Sequence, residues 1–282
     1  MLMKLSFRAV ILLLLLWPSF SYSQAGWEAG IFGGISNYEG GLAPDPVWKE
    51  SHPAAGVFVK RDMSEYVSYS LGLNYGKISG NDSNSAIRAP RGLNFQSNIF
   101  ELSTQIEINF FNFGSKDVRD AKRISPYIFT GVSLFYFDPK GELNGKLYDL
   151  HDLATQGQGT VPGAPPQYNR LQVSIPFGGG MKFNLSERWN LLVLMGYRAT
   201  FTSELDDAGP GNYPDPALMP KKSGEKNVYF SDPTGIGIPG EQRGNPDKKD
   251  WYIFAGISLS YIIPGPTCPY PRSTRHPSIF GN

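Results

Sequence analysis

The chain has 282 residues, with 26 Lys and Arg against 25 Asp and Glu, so its formal net charge is only +1. This balance indicates no general attraction to nucleic acid or to anionic lipid, and one cysteine with three scattered histidines offers no zinc-binding spacing. The 32 glycines and the 13% of aromatic residues are typical of short strands joined by tight turns. Composition therefore favours an all-β fold.

The first 23 residues have the organisation of a secretory signal peptide. Lys4 and Arg8 precede an apolar core at residues 9–17, and Ser21 and Ser23 have the spacing of a cleavage site, which we place after Ser23. The core is shorter than the about 20 residues that a membrane-spanning helix needs, and no later apolar run is long enough. An exported chain of a Gram-negative cell ends in the periplasm, in the outer membrane as a barrel, or outside.

Residues 24–263 are predicted to contain eight strands. In most of them apolar side chains alternate with polar or small ones, as expected of a strand with two different faces, although Leu192 and Leu194 blur the pattern in the seventh. In chain order the strands cover residues 27–38, 53–61, 66–76, 98–111, 126–137, 170–183, 189–201 and 251–262. The fifth is apolar on both faces and is the least clear. Pro176 removes a hydrogen-bond donor from the sixth, which predicts a bulge there.

The fourth strand, NIFELSTQIEINFF, shows the alternation and the choice that it leaves open. Glu101 and Glu107 share one face with Ser103, Gln105 and Asn109, whereas the other face is apolar. In a soluble sandwich the apolar face would be inside. In a transmembrane barrel it would face lipid, and the glutamates would face the lumen. This strand alone is compatible with both folds.

The lengths of the connections decide between the two folds. Short segments join the second strand to the third, the fourth to the fifth and the sixth to the seventh, while the other four connections are long. Long loops therefore lie at one end, as in outer-membrane barrels with short periplasmic turns and long extracellular loops. We predict an all-β transmembrane antiparallel β-barrel of eight strands in the outer membrane, with both termini in the periplasm.

The barrel interpretation places six charged side chains in the lumen. Three acids and three bases share the inward parity, so each buried charge could find a partner. They are Glu28, Lys60, Glu101, Glu107, Lys182 and Arg198. An eight-stranded barrel has an interior about wide enough for side chains to fill it. We therefore expect a packed polar core rather than a solute channel.

Aromatic residues fall near both ends of the predicted strands, as expected of girdles at the two membrane interfaces. The periplasmic girdle would comprise Trp27, Tyr66, Phe110, Trp189 and Tyr261. The outer girdle would comprise Tyr38, Tyr75, Phe95, Tyr197 and Trp251. The rings would thus mark the two boundaries of the hydrocarbon layer.

No catalytic, cofactor-binding or metal site is predicted. The histidines are His52, His151 and His276. None of them stands on a strand face beside a serine, so their placement gives no support to a hydrolase triad.

The long outer loops contain an acidic run and several apolar residues. Glu204, Asp206 and Asp207 in TSELDDAG could hold calcium, but the fuller spacing of a calcium loop is absent and a solvated loop is the favoured interpretation. The apolar residues are Leu147, Tyr148, Leu150, Tyr213, Tyr229 and Phe230. Either the loops fold over the barrel mouth as a cap, which is the favoured alternative, or they bind a partner.

Several segments resemble one family of small outer-membrane proteins. They are WEAGIFGGISNYEG, SHPAAGVFVKRDMS, LGLNYGKISG, SNIFELSTQIEINFF, PYIFTGVSLFYF, NGKLYDL, IPFGGGMKFNLSERWNL, GYRATFTSELDD and RGNPDKKDWYIFAGISLSY. They are similar to the small outer-membrane barrel family that includes the PorG component of type IX secretion, and they span nearly the whole mature chain. The resemblance implies a non-enzymatic accessory or anchoring component of type IX protein secretion. It also implies contact with the periplasmic ring of the PorK lipoprotein and PorN, while another protein forms the conduit.

Contact with a periplasmic ring would use the short turns and the termini. The candidate residues are Lys116, Arg119 and Arg123 in a charged turn and Cys268, Arg272 and Arg275 in the Pro-rich tail at residues 264–282. Such a tail suits docking on a partner. Its cysteine would either form an intermolecular disulfide or remain a free thiol. Two other functions stay open: an outer-membrane lipid-modifying hydrolase, and a surface adhesin or ligand-binding barrel.

Overall fold

The computed structural model describes residues 26–84, 88–113, 122–220, 224–244 and 248–264. The strands and α-helices within them are β1 (Trp27–Glu39), β2 (His52–Asp62), β3 (Val67–Asn81), β4 (Asn94–Asn109), β5 (Ile124–Leu143), β6 (Lys146–Asp149), α1 (Leu150–Leu153), β7 (Leu171–Asn184), β8 (Trp189–Thr200), α2 (Lys226–Ser231) and β9 (Trp251–Ile263). Single turns of 3-10 helix lie at Trp48–Glu50, Asp82–Asn84 and Ala89–Arg91. None of the helices in the described residues is long and apolar enough to cross a membrane. The predicted signal peptide at residues 1–23 lies outside the described part, as does the tail beyond residue 264, so these boundaries stay predictions.

Eight of the strands form a closed antiparallel barrel. Neighbours in the wall follow the order β4, β3, β2, β1, β9, β8, β7 and β5, and β4 pairs with β5 to close the ring. The short strand β6 pairs with the outer end of β5, in a hairpin that continues beyond the wall. The predicted eight-stranded all-β barrel is confirmed. Its fifth strand, however, extends to Leu143 and not to residue 137.

Side chains alternate between the two faces of the wall because a strand turns successive residues to opposite sides. In β1, Ile31 is 61% exposed on the outer face, whereas its neighbour Phe32 is 8% exposed in the lumen. The same alternation makes most of the exterior apolar, with exposed residues that include Val57, Leu73, Phe100, Ile106, Ile128, Val132, Leu171, Val193 and Ile257. A closed wall with an apolar exterior and charges inside is the arrangement of a transmembrane barrel.

The shortest and the longest connections lie at opposite ends of the barrel. The end at which β1 begins and β9 ends, which we call the short-turn end, carries the four-residue turns at residues 63–66 and 185–188 and the 14-residue connection at residues 110–123. The other end carries the four connections that we call long, namely residues 40–51 and 82–93, of 12 residues each, and residues 144–170 and 201–250. The first and last described residues therefore both lie at the short-turn end. The predicted sorting by length holds for the shortest and the longest connections but not for residues 110–123.

The bulge predicted at Pro176 was wrong. The pairing between β7 and β5 keeps one register across this residue, from Thr130↔Phe177 to Ser133↔Ser174, so neither strand contains an extra residue. Two rungs are missing between these pairs, while the ladder from β7 to β8 is unbroken. The proline nitrogen, which has no hydrogen to donate, therefore faces β5 and interrupts the ladder without shifting it.

Two members of the predicted outer girdle, Tyr38 and Phe95, lie inside the barrel and not on its outer wall. Both are at most 3% exposed, and their rings pack edge to face with centroids 4.8 Å apart. Parity explains the difference, because Tyr38 shares the face of Glu28 in β1 and Phe95 shares the face of Glu101 in β4. The rings on the outer wall at this level include Tyr75, Phe177, Tyr197 and Trp251.

Candidate functional site: the lumen and the outer cap

The six charged side chains of the lumen lie in two groups. In the group nearer the short turns, Lys60 Nζ lies 3.0 Å from Glu28 Oε2, and Lys182 Nζ lies 2.6 Å from Glu107 Oε2. Lys60 Nζ is also 3.8 Å from Glu107 Oε2, so the four charges form one chain. All four side chains are at most 8% exposed. Further donors to Glu28 are Asn190 Nδ2 and Ser260 Oγ.

The second group is the pair of Glu101 and Arg198. Arg198 Nε donates to Glu101 Oε2 across 3.1 Å, and Tyr252 Oη donates to the same oxygen across 2.7 Å. Asn74 Nδ2 donates to the other carboxylate oxygen across 2.9 Å. The guanidinium also lies over the ring of Phe254, 4.6 Å from its centroid. Each polar atom of the glutamate therefore has a partner, as a charge buried in a membrane protein requires.

Aromatic rings fill much of the remaining lumen, which is therefore less polar than the sequence predicted. Phe135 and Phe254 both pack against Tyr252, with ring centroids 5.2 and 5.7 Å from it. Tyr127 and Phe129 are also buried, so the second apolar face of the fifth strand is lumen filling. A cavity of about 60 Å³ remains among these side chains, which is room for a few water molecules. Side chains thus close the path through the barrel.

The described parts of the four long connections fold over the outer mouth, and we call them together the outer cap. Its apolar interior includes Leu42, Leu153, Leu205 and Phe230, each at most 4% exposed. Arg243 joins parts of the longest connection that are distant in the sequence. Its Nη1, Nη2 and Nε atoms donate to the backbone oxygens of Asp207, Phe230 and Ser231. The long connections therefore form a packed structure in which apolar residues have a structural use.

The acidic run of the longest connection is buried in the outer cap, so the predicted solvated loop was wrong. Asp206 is 3% exposed. Tyr38 Oη lies 2.7 Å from Asp206 Oδ2 and 3.0 Å from Asp250 Oδ1, so one hydroxyl contacts both carboxylates and the two acids are neighbours. Further donors to the two carboxylates are the backbone N–H groups of Gly41, Leu42, Leu205 and Ala208. Burial raises the pKa of both acids, and the charge of Asp206 raises the pKa of Asp250 further.

Glu204 and Asp207 form the other half of this buried acidic group. Gln156 Nε2 donates to Glu204 Oε2 across 2.9 Å, and Tyr168 Oη donates to Asp207 Oδ1 across 2.8 Å. Thr155 Oγ1 donates to the second oxygen of Asp207. Burial, followed by the charge of Asp207, raises the pKa of Glu204 to about 8. This carboxyl group is therefore mostly protonated at neutral pH and needs no cation beside it.

An open groove at the rim of the barrel brings together Glu50, His52 and Ser79, a grouping that the sequence analysis missed. His52 Nε2 lies 2.8 Å from Ser79 Oγ, which also contacts Glu50 Oε2, and the groove has a volume of about 440 Å³. A hydroxyl has one proton and a carboxylate can only accept, so Ser79 donates to Glu50 and His52 donates to Ser79. In this tautomer His52 cannot take the serine proton, so the geometry differs from that of a hydrolase triad.

A second group of potential ligand atoms lies in the connection between β5 and β7. Asp149, His151 and Asp152 offer side-chain atoms within 4.8 Å of one another. Arg170, however, lies among them and donates to both carboxylates. Its guanidinium already supplies the positive charge that a metal ion would bring. The group is therefore an ion-pair cluster that fixes the start of β7.

The predicted periplasmic contacts are mostly beyond what the structure describes. Lys116 and Arg119 lie outside the described residues, as do Cys268, Arg272 and Arg275. Arg123 is described and is exposed just before β5, where its backbone oxygen accepts a hydrogen bond from the Asn184 N–H across 2.7 Å. Its side chain is exposed at the short-turn end.

A comparison with protein families gives one match, to a family described as "Domain of unknown function (DUF6089)", over residues 6–271. The chain belongs to the DUF6089 family. Because the match covers every described residue, the DUF6089 unit is the barrel together with its outer cap. No curated protein sequence matches the chain.

Several solved outer-membrane proteins are similar to the DUF6089 barrel. Ail, the attachment invasion locus protein of Yersinia pestis, is 8% identical; the match covers 86% of this chain and all of that one, with a TM-score of 0.40. Neisserial surface protein A is 5% identical, over 84% and 97% of the two chains, with a TM-score of 0.41. E. coli outer membrane protein W is 11% identical, over 86% and 100%, with a TM-score of 0.35. At these values the likeness carries no argument about function.

Proposed function

We propose that this DUF6089 protein is a non-enzymatic outer-membrane barrel that serves as an accessory or anchoring component of type IX protein secretion. The observation that supports this proposal is the filled lumen, which holds paired charges and packed aromatic rings beneath an outer cap. A barrel of this kind has no room for a secreted protein. It would contribute surfaces to the machine, while another protein provides the conduit.

The partner in this proposal is the periplasmic ring of PorK and PorN, which the sequence resemblance suggested. The short-turn end would face the periplasm, so that both termini and the turn containing Arg123 reach the ring. The six candidate contacts are Lys116, Arg119, Arg123, Cys268, Arg272 and Arg275. A disulfide through Cys268 is one form that this contact would take, and a Cys268→Ser variant on non-reducing gels would reveal it as the loss of a higher-mass adduct.

The test is deletion of the gene, followed by measurement of secreted proteins in the medium and of intact ring in outer-membrane preparations. We expect secretion to fall and the ring to be lost or detached. Complementation with the whole chain and with a chain that ends at residue 264 would then separate the barrel from the tail. Normal secretion and a normal ring in the deletion strain would exclude the proposed function.

A lipid-modifying hydrolase is the second candidate, because the groove brings a serine, a histidine and a glutamate together at Ser79, His52 and Glu50. Catalysis would require the other tautomer of His52, in which Nε2 accepts the serine proton. The purified protein would be incubated with phospholipid in mixed micelles, and released fatty acid would be measured. Activity that is lost in both Ser79→Ala and His52→Ala, and retained in a Ser64→Ala control, would support the enzyme. Under the anchoring proposal neither the wild type nor any of the three variants releases fatty acid.

An adhesin or ligand-binding barrel is the remaining alternative. Ligand binding by whole cells through the outer cap would favour it.

A further inference from the structure

The apolar outer wall is covered at the outer ends of β1, β9 and β8. Ile253 faces outward in β9 but is only 3% exposed, whereas Ile257 on the same face of the same strand is 52% exposed. The cover is the segment at residues 46–51, which turns down along the outer wall, while Leu42 in the same connection is buried in the outer cap. One connection thus contacts both the mouth and the exterior of the barrel.

Asn37 holds this segment against the wall. It pairs with Ile253 across the β1–β9 ladder and therefore faces outward. Its Nδ2 donates to Val47 O across 3.0 Å and to Ser51 Oγ across 2.8 Å, and its Oδ1 accepts from the Tyr38 N–H across 2.7 Å. An amide on a lipid-facing wall is unfavourable unless its hydrogen bonds are made. The segment satisfies them and in return is fixed in place.

A crevice of about 220 Å³ remains between this segment and the wall. Its floor is two rungs of the wall, one with Ile35, Ala255 and Met195 and the other with Asn37, Ile253 and Tyr197. Its remaining lining is Pro46 and Trp48. Trp48 is 66% exposed, so its indole extends from the segment into the surroundings of the barrel. The crevice is therefore almost wholly apolar.

The position of the crevice identifies its surroundings. Tyr197, which forms part of the floor, packs with Phe177 and Trp251 in the ring cluster of the outer wall. Such rings lie at the boundary between hydrocarbon and headgroups. The floor is also continuous with the exposed apolar wall below it, where Ile257 and Val193 face lipid. A hydrocarbon chain would enter the crevice from the bilayer without crossing water.

We propose that this crevice binds one acyl chain of an outer-leaflet lipid, with Trp48 lying over the chain. The apolar lining offers burial and few hydrogen bonds, so it would recognise the chain and not a particular headgroup. Indole suits this place because it is a large apolar ring with one polar N–H that can reach the interface. A bound chain would connect the outer cap to the lipid through the segment that Asn37 holds.

The test compares two substitutions of alanine by phenylalanine on the same outer wall. Ala255→Phe fills the crevice from its floor, whereas Ala29→Phe adds the same ring on β1, next to Tyr261 and away from the crevice. Each full-length protein in detergent is titrated with palmitoyl-oleoyl phosphatidylethanolamine and bound lipid is counted by native mass spectrometry. We expect the tightest site to weaken at least about tenfold, or about 1.4 kcal/mol, in Ala255→Phe and to be unchanged in Ala29→Phe.

A third variant, Trp48→Ala, removes the indole that lines the crevice and leaves the residues of the wall unchanged. We expect it also to bind lipid more weakly than the wild type. The shift in gel mobility on heating shows whether each barrel is folded. Equal lipid affinity in all four proteins would overturn the proposal, as would equal weakening by Ala29→Phe and Ala255→Phe. A dimer peak that disappears in Ala255→Phe without any change in lipid binding would overturn it in favour of contact between two copies of the chain.

Discussion

Arg198 shows what a single buried charge contributes to this barrel. In Arg198→Met, Glu101 would keep its hydrogen bonds from Asn74 and Tyr252 but would lose its counterion inside the lumen. Removing one partner of a buried pair leaves an uncompensated charge and costs about 3–5 kcal/mol. We therefore expect the free energy of unfolding, measured by urea titration in detergent micelles, to fall by about this amount.

Lys140→Met is the matched control for this prediction. Lys140 Nζ lies 2.8 Å from Asp138 Oδ2, but the lysine side chain is 33% exposed and water replaces the lost partner. Such a pair contributes at most about 1 kcal/mol. The double variant Glu101→Gln with Arg198→Met should recover part of the loss, because no unpaired charge remains. A similar loss in Arg198→Met and Lys140→Met would contradict a structural role for the lumen pair.

For a single residue of a strand, its odd or even position in the alternation is the best predictor of which face of the wall it occupies. Tyr38 and Phe95 have the inward parity of their strands, and this signal outweighs the general tendency of aromatic rings to occupy the membrane interfaces. The contact between His52 and Ser79 has no comparable signal. It depends on how the connection at residues 40–51 folds, and the sequence of that connection has no periodic pattern of apolar residues from which its fold could be predicted.

The longest connection, at residues 201–250, is the element whose stability should depend on pH. In the unfolded connection Glu204 ionises near its ordinary pKa of 4.5, whereas in the outer cap it stays protonated up to about 8. The folded cap therefore loses stability as the pH rises through this interval, by up to about 1.4 kcal/mol per pH unit, and loses no more from this group above it. We expect amide hydrogen exchange in this connection, corrected for intrinsic rates, to be faster at pH 8 than at pH 5.

Glu204→Gln should weaken this pH dependence, because the amide cannot ionise and still fits beside Gln156. Part of the dependence should remain, since burial also raises the pKa of Asp206 and Asp250. Glu241→Gln changes an exposed glutamate in the same connection and is the control. An equal dependence on pH in the wild type and in both variants would contradict the role of Glu204.

The segment at residues 46–51 should detach from the outer wall in Asn37→Leu. The substitution removes two hydrogen bonds to the segment and restores an apolar side chain to the lipid-facing rung. We expect faster hydrogen exchange at residues 46–51 with little change in the rest of the barrel. Asn98→Leu is the control, because Asn98 accepts a hydrogen bond from Tyr75 Oη on the outer wall of β4. Unchanged exchange in Asn37→Leu would show that other contacts hold the segment.

The strands could be predicted as elements, and the connections could not. Each strand has a period of two that follows from its own geometry, so the fourth strand was recognisable in isolation except for which face is inside. The connections are ordered by contacts between distant residues, such as Arg243 with the backbone of Asp207 or Tyr38 with Asp206. These contacts exist only after the barrel has closed, so the acidic run gave no sign of its burial.

The molecule as a whole should not conduct ions through its lumen. Phe135, Tyr252 and the pair of Glu101 and Arg198 occupy the lumen below the outer cap, so the lumen itself provides the closure. In planar bilayers we expect no stable conductance steps from the wild type. We expect the same of a variant in which a short Gly-Ser linker replaces residues 203–248. Steps that occur in this variant but not in the wild type would show that the cap, not the lumen, closes the barrel.

The two shortest connections, residues 63–66 and 185–188, and the two longest, residues 144–170 and 201–250, carried the main signal for the architecture of the molecule, because the short pair and the long pair lie at opposite ends. It distinguished the barrel from a sandwich because it concerns the order of the connections and does not depend on how any of them folds. The same signal gave no information about closure of the mouth, which depends on the packing of the longest connection around Leu205 and Phe230.

Pro176 lies at a gap in the pairing between two neighbouring strands of the wall. In the other seven seams between neighbouring strands, over the residues described, the pairing has no internal gap, whereas the seam between β5 and β7 lacks two rungs near its middle. The seam between β5 and β7 still has 11 paired rungs, against 9 between β2 and β3, so its difference lies in the position of the gap and not in the number of rungs. Local opening of the wall should therefore begin between β5 and β7 at the level of Pro176.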